Sequence, residues 1–408
     1  MVVATEQRYW NAEAQTRPRP ALEALRTERL REAVDQARLA PFFAGRLAAA
    51  GVRAEDLRSA ADVRLLPRII KADLRRSEAD HPPVGDYRPC GLERAMRIAM
   101  SSGTTGRPTA MLWTARDLDV ERELSARNHY RLGIRPGMVV VGAHPGYLNG
   151  GQGLQQAAYE HMGVLLVSIG PPESVDAAER ALRTIAGLPI DRWQVFPSAL
   201  LRLREAAERI GFAGLPEPEE IGPRTQYEKI SAGMECVAYL GSACGVSGGA
   251  HLAEDCAIVE AVDPVSGAPV PDGERGRLVV TSLGRDNPVL RYDLQDVVRL
   301  ESEPCPCGET SRRGFWEGRA ADIVTVAGLD VLPIDVWRHL DPAAEYVLVR
   351  PERDTGRLSV QVEGARDRDV EDALTEALQV PVDVDWVARG ELPRAAYKAQ
   401  RVVAAGQT

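Results

Sequence analysis

Lysine is almost missing from this chain. Of 50 basic residues in 408, only Lys71, Lys229 and Lys398 are lysine. A position that keeps a compact ammonium against that background is one where the planar fork of arginine would not serve. Segregation of charge is lacking too: the net charge of -9 is spread along the chain with both signs mixed. That excludes nucleic acid or an anionic membrane surface as the main partner. No apolar run reaches the length of a membrane span, and the first residues, with Glu6, Arg8 and Glu13, lack the apolar core of a signal peptide. The expected compartment is the cytoplasm. Six cysteines in a chain of this size are too few for a disulfide framework, and their uneven placement suits a reduced compartment and a metal site. A Walker loop, GxxxxGK[ST] followed by a helix, is also lacking.

What is present begins with length. At 408 residues and 44% hydrophobic composition, the chain is expected to bury two or three cores. Its organising stretch is Met100-Ser101-Ser102-Gly103-Thr104-Thr105-Gly106-Arg107-Pro108-Thr109. Glycines let the backbone turn with its N–H groups inward, hydroxyls add donors and Arg107 adds charge, so the run suits a phosphate chain. Apolar flanks at Met96–Met100 and Ala110–Thr114 predict strand, loop, strand.

On the N-terminal side, Leu22, Leu25, Leu30, Val34 and Leu39 recur at helical spacing between Pro20 and Gly51, predicting amphipathic helices. Lys71 opens a further short helix, where it reads as a solvated charge. On the C-terminal side, helix Leu118–Leu132, strand Met138–Gly142, helix Leu154–Met162, strand Val164–Ile169, helix Val175–Ala186, strand Trp193–Phe196 and helix Pro197–Ile210 alternate as in a layered α/β domain. Strands at Ile258–Val262, Gly276–Ser282 and Val297–Leu300 predict a small β-region, and residues from Ile323 onward a small α+β domain. The glycine-rich bend from Gly146 to Gly153 follows a strand, where α/β sheets bind ligands. Cys305-Pro306-Cys307-Gly308 projects two sulfurs to one side, and a tetrahedral site needs two more ligands from Cys244, His251 and Cys256.

The run from Ser101 to Thr109 resembles the nucleotide-phosphate loop of acyl-adenylate-forming enzymes. From Tyr9-Trp10 to about Val402, the chain is similar to their compact phenylacetate–CoA ligase branch. The resemblance implies a nucleotide- and acyl-binding domain over residues 1–318, a hinge at 319–322 and a mobile C-terminal domain over 323–408. It assigns the phosphates to Ser102, Gly103, Thr104, Thr105, Gly106 and Arg107, and adenine stacking to Tyr239. Ser242 is assigned to a phosphate, Asp296 to the ribose hydroxyls, with Arg319 facing the nucleotide. Tyr147, Gly150 and Gly151 would line the acyl pocket, and Lys398 would act in adenylation. Cys244 and Cys256 would complete a structural zinc site with Cys305 and Cys307, His251 being the alternative ligand; Cys90 and Cys236 would be inert.

The implied reaction takes ATP and a small carboxylate, an aromatic one first, to an acyl-adenylate, then to a thioester with CoA or the phosphopantetheine arm of a carrier protein; a homodimer is left open. Departures from the family pattern set a second reading beside it. The adenine-wall segment Gly-Ala-Glu-Pro is missing before Tyr239, Ala243 replaces the carboxylate expected to hold magnesium, and Ala321 replaces one of two hinge acids, leaving Asp322. Glu235 and Glu254 are the acids near enough in sequence to substitute. A chain with these losses would suit an ATP-independent acyl transferase working between CoA and a carrier protein.

Overall fold

The computed structural model describes residues 7–101, 108–144, 150–195, 197–216, 229–230, 236–341, 344–353, 355–388, 390–392 and 400–405. The chain divides into two compact units. One comprises Met1–Pro171, Gly187–Gln194 and Tyr227–Trp316; the other comprises Pro172–Ala186, Val195–Gln226 and Glu317–Thr408.

In the first unit, helices Arg19–Ala37 and Pro41–Ala50 pack Leu30, Val34, Phe43 and Leu47 into a core shared with Val259, Leu278 and Val280 of a large sheet. Leu22, Leu30 and Val34 are buried as their spacing predicts, but Leu39 is 69% exposed. The first helix stops at Ala37, so Leu39 has left the 3.6-residue register that would have turned it inward. The expected small β-region is an eight-stranded sheet. Its order is Ala257–Val262, Arg275–Ser282, Tyr292–Glu301, Arg313–Arg319, Ala250–Leu252, Gly241–Ser242 and Lys229–Ile230, with Ile69–Ile70 running parallel beside Tyr292–Glu301. Ala250–Leu252 and Gly241–Ser242 are too short to show a period in sequence.

Two smaller sheets complete this unit. Arg97–Met100 and Ala110–Trp113 form the antiparallel hairpin expected around the glycine-rich loop, with Met100 opposite Ala110. Just beyond it, the Ser101 N–H donates to the Thr109 carbonyl and the Thr109 N–H to the Ser101 hydroxyl, both at 2.9 Å. Val139–Gly142 lies fully buried between parallel strands Leu165–Ser168 and Arg192–Gln194. Helix Ala115–Arg131 starts on a capping box in which Thr114 accepts the Asp117 N–H and the Asp117 carboxylate accepts the Thr114 N–H.

The second unit holds the paired helices Val175–Ile185 and Pro197–Ile210 and a small α+β fold. That fold has a mixed sheet ordered Val382–Val387, Leu358–Glu363, Tyr346–Arg350, Val402–Ala404, with helix Arg368–Leu378 burying Leu374 in its core. Asp367 caps this helix by accepting the N–H groups of Asp369 and Val370. The class is therefore layered α/β with a β-region, followed by α+β. Among the described residues no helix is long and apolar enough to cross a membrane.

Candidate active site and metal centre

Ser102–Arg107, Tyr147 and Lys398, and with them the phosphate loop and the adenylation lysine, lie outside the described residues, as does Glu235. The remaining expected positions are described. Tyr239 is half-buried, its hydroxyl donating to the Gly151 carbonyl at 3.4 Å and its ring 5.8 Å from the buried His129 ring. Gly150 and Gly151, read in sequence as part of a bend, form the first turn of helix Gly150–Met162. Tertiary packing overrides the weak helix propensity of glycine here: Leu154 is fully buried against Ala99, Trp113 and Ala238.

Asp296 lies within strand Tyr292–Glu301, at an irregularity in its pairing. Asp293 pairs with Val279 and Val297 with Arg277, so residues 294–296 span the length that Leu278 alone covers on the partner strand. At the centre of this bulge Gln295 is left-handed, with φ 62, and its N–H donates to the Asp293 carboxylate at 2.8 Å. Bulges of this kind redirect a side chain at sites of function.

Ser242, expected at a phosphate, is engaged within the protein. It is fully buried, and its hydroxyl donates to Asn128, 3.2 Å from Oδ1 and 3.4 Å from the carbonyl. The short strand that carries it runs close against Ala250–Leu252, where a Cβ at Gly241 would collide with the His251 carbonyl oxygen. Such close pairing turns the hydroxyl onto helix Ala115–Arg131.

Glu254 is no substitute for the acid missing at Ala243. It is 1% exposed and surrounded by Arg19 at 2.5 Å, Arg312 at 2.8 Å and Arg26 at 3.6 Å. Burial opposes its ionisation, but the guanidinium groups of Arg312, Arg26 and Arg19 overcome that and bring the carboxyl down to about 2. Both carboxylate oxygens are engaged by guanidinium groups, so neither the Ala243 side chain nor the Glu254 carboxylate offers magnesium an oxygen.

Past Trp316, Arg319 is exposed, and burial pushes the Asp322 carboxyl up against the pull of Arg319 and Arg350. Glu317 takes a two-point contact from Arg338 at 3.0 and 3.1 Å, and Arg350 donates to the carbonyls of Ala321 and Ile323.

The cysteines gather differently from expectation. Cys244, His251, Cys305 and Cys307 place one ligand atom each within 4.8 Å of all the others. The Cys244 and Cys305 sulfurs are 3.7 Å apart, and the Cys307 sulfur is 3.2 Å from His251 Nε2. Zinc–sulfur bonds of about 2.3 Å in a tetrahedron imply sulfur–sulfur edges of about 3.8 Å, so the set fits that cation. His251 Nδ1 lies 3.2 Å from the Ser311 hydroxyl, which directs Nε2 at the sulfurs.

Cys256 is not in the cluster. It is buried at the start of Ala257–Val262, beside Asp255 and with its sulfur 3.8 Å from Arg29, and burial pushes its thiol up to about 12. The alternative ligand, His251, takes the place expected for Cys256. The N-terminal segment closes over the knuckle: the Tyr9 hydroxyl donates to the Cys307 carbonyl at 2.6 Å, and a Cβ at Gly308 would lie 2.5 Å from that hydroxyl oxygen. Sequence spacing carried no signal for that contact.

A phenylacetate–coenzyme A ligase of Thermus thermophilus is 33% identical over 389 residues, covering 87% of this chain and 84% of the relative. The chain belongs to the phenylacetate–coenzyme A ligase family. The family's Escherichia coli member is 29% identical over 432 residues, covering 93% of this chain and 94% of its own. No family model matches. A crystal structure of 2-hydroxyisobutyryl-CoA ligase in the postadenylation state superposes with a TM-score of 0.81, covering 99% of this chain and 94% of that one at 24% identity, a likeness of fold. As a member of the phenylacetate–coenzyme A ligase family, the chain is an enzyme of the adenylate-forming acyl–CoA ligase type.

Proposed function

We propose that this chain activates a small carboxylic acid, an aromatic one first among candidates, and delivers its acyl group to the thiol of CoA. A carboxylate oxygen attacks the α-phosphorus of ATP and the bond to the β-phosphate breaks, releasing pyrophosphate. The CoA sulfur then attacks the acyl carbon, and AMP leaves with the bonding electrons. The observation that carries this reading is the 33% identity extending over 87% of the chain. Tyr239 would stack on adenine, Asp296 would accept both ribose hydroxyls and Arg319 would face the nucleotide. By resemblance, Ser102–Arg107 would hold the phosphates and Lys398 would neutralise charge between carboxylate and α-phosphate. Residues 323–408 would serve the two half-reactions in turn by moving about 319–322. Zinc would sit on Cys244, His251, Cys305 and Cys307 as a structural cross-link.

No magnesium ligand is assigned: the Ala243 side chain has no oxygen, Glu254 is taken up by three arginines, and Glu235 lies outside the described residues. That observation favours one second reading, an ATP-independent transfer of an acyl group from CoA to a carrier-protein thiol. ATP–pyrophosphate exchange across a panel of aromatic and short acids separates the two. Carboxylate-dependent exchange supports the ligase; none with any acid, together with acyl movement out of acyl-CoA, overturns it.

A further inference from the structure

Helix Ala115–Arg131 buries polar side chains on one face where an apolar face would cost less to desolvate. Glu121, Asn128 and His129, at i, i+7 and i+8, point the same way. Glu121 is fully buried, and its Oε1 accepts the Ala238 N–H at 2.9 Å. The same oxygen lies 2.8 Å from Nη2 of Arg285, itself buried on the connection between Arg275–Ser282 and Tyr292–Glu301. Asn128 holds Ser242 and the His129 ring stands beside Tyr239. One turn earlier, Asp117 accepts the Asp286 N–H at 2.9 Å. One helix face thus grips both the main chain around Tyr239 and the segment leading to the strand of Asp296.

We propose that Glu121 is a positioning residue for nucleotide binding, fixing the main chain at Ala238 so that the Tyr239 ring is held in place for the adenine. The inference rests on the reading that Tyr239 meets the nucleotide. Residues 238–242 form a short strand only at Gly241–Ser242, so the Ala238 amide depends on a side chain to set its direction. A carboxylate that also faces Arg285 cannot rotate away without weakening the compensation of that buried cation, which it shares with Asp117.

Three variants of the full chain test this. Glu121→Ala removes the acceptor. Glu121→Asp keeps charge for Arg285 but withdraws the oxygen from Ala238, and serves if the alanine variant does not fold. Glu121→Gln keeps an acceptor and loses the charge. The first two are expected to weaken ATP binding about tenfold by calorimetry, with kcat at saturating ATP within about twofold, and to speed hydrogen exchange over 236–240; Gln should restore most of both.

Combining Glu121→Ala with Tyr239→Ala should weaken binding no further than Tyr239→Ala alone, because both act through one ring. Additive losses would overturn the inference, as would wild-type exchange over 236–240 in both the Ala and Asp variants. Unchanged ATP affinity in Tyr239→Ala overturns the reading of Tyr239 itself, and this inference with it.

Discussion

Replacing Glu254 by glutamine tests the three-arginine cage directly. In the folded chain its carboxyl lies at about 2 against an ordinary value of 4.5, and that difference corresponds to about 3 kcal/mol favouring the folded state when the group is ionised. Glutamine mimics the protonated acid, so the variant should be about 3 kcal/mol less stable than wild type at pH 7, measured by urea unfolding as a lowered midpoint with unchanged slope. The sign follows from a depressed folded value. The stabilisation is complete above about pH 4.5, falls as the pH drops through the window between 4.5 and 2, and is gone below it. The gap between wild type and Glu254→Gln should therefore close as the solution is acidified through that window. A gap that stays constant with pH, or a variant of wild-type stability at pH 7 with altered magnesium dependence, would refute the reasoning and return Glu254 to the list of metal ligands.

Purified protein should contain about one equivalent of zinc, and Cys305→Ser with Cys307→Ser should lower thermal stability far more than substrate affinity; metal-free protein prepared without chelator would exclude the site. Ser242→Ala should cost about 1 kcal/mol of stability and leave the KM for ATP unchanged, since its hydroxyl is engaged with Asn128; a raised KM would put Ser242 back on a phosphate. Gln295→Gly should stabilise the fold by about 1 kcal/mol, seen as a higher Tm, because glycine adopts the left-handed backbone of the bulge without a Cβ penalty. Lys398→Ala should slow pyrophosphate exchange by about 10²–10³ while sparing thioester formation from preformed adenylate, and equal loss in both steps would remove it from the first half-reaction.

Much of this protein was legible along the chain because its causes are local. The apolar flanks of the glycine-rich loop make a hairpin whatever lies around them, Thr114 and Asp117 cap their helix within one turn, and Cys305 and Cys307 share a turn because one residue separates them. Partner choice across long separations was decided only by the fold. His251 and Cys256 are both near enough in sequence to complete the metal set. The register of Ala250–Leu252 against Arg313–Arg319 pairs His251 with Arg313, close behind the knuckle, while Cys256 lies past the next turn, beside Arg29 and Asp255. The same strand pairing turned Ser242 inward onto Asn128. Burial set the remaining case: Glu254 reads in sequence as a candidate magnesium ligand, and three arginines from two distant segments make it a structural anion. A period or a motif records what a residue's neighbours along the chain require, whereas a carboxylate's role depends on which charges the packing brings against it.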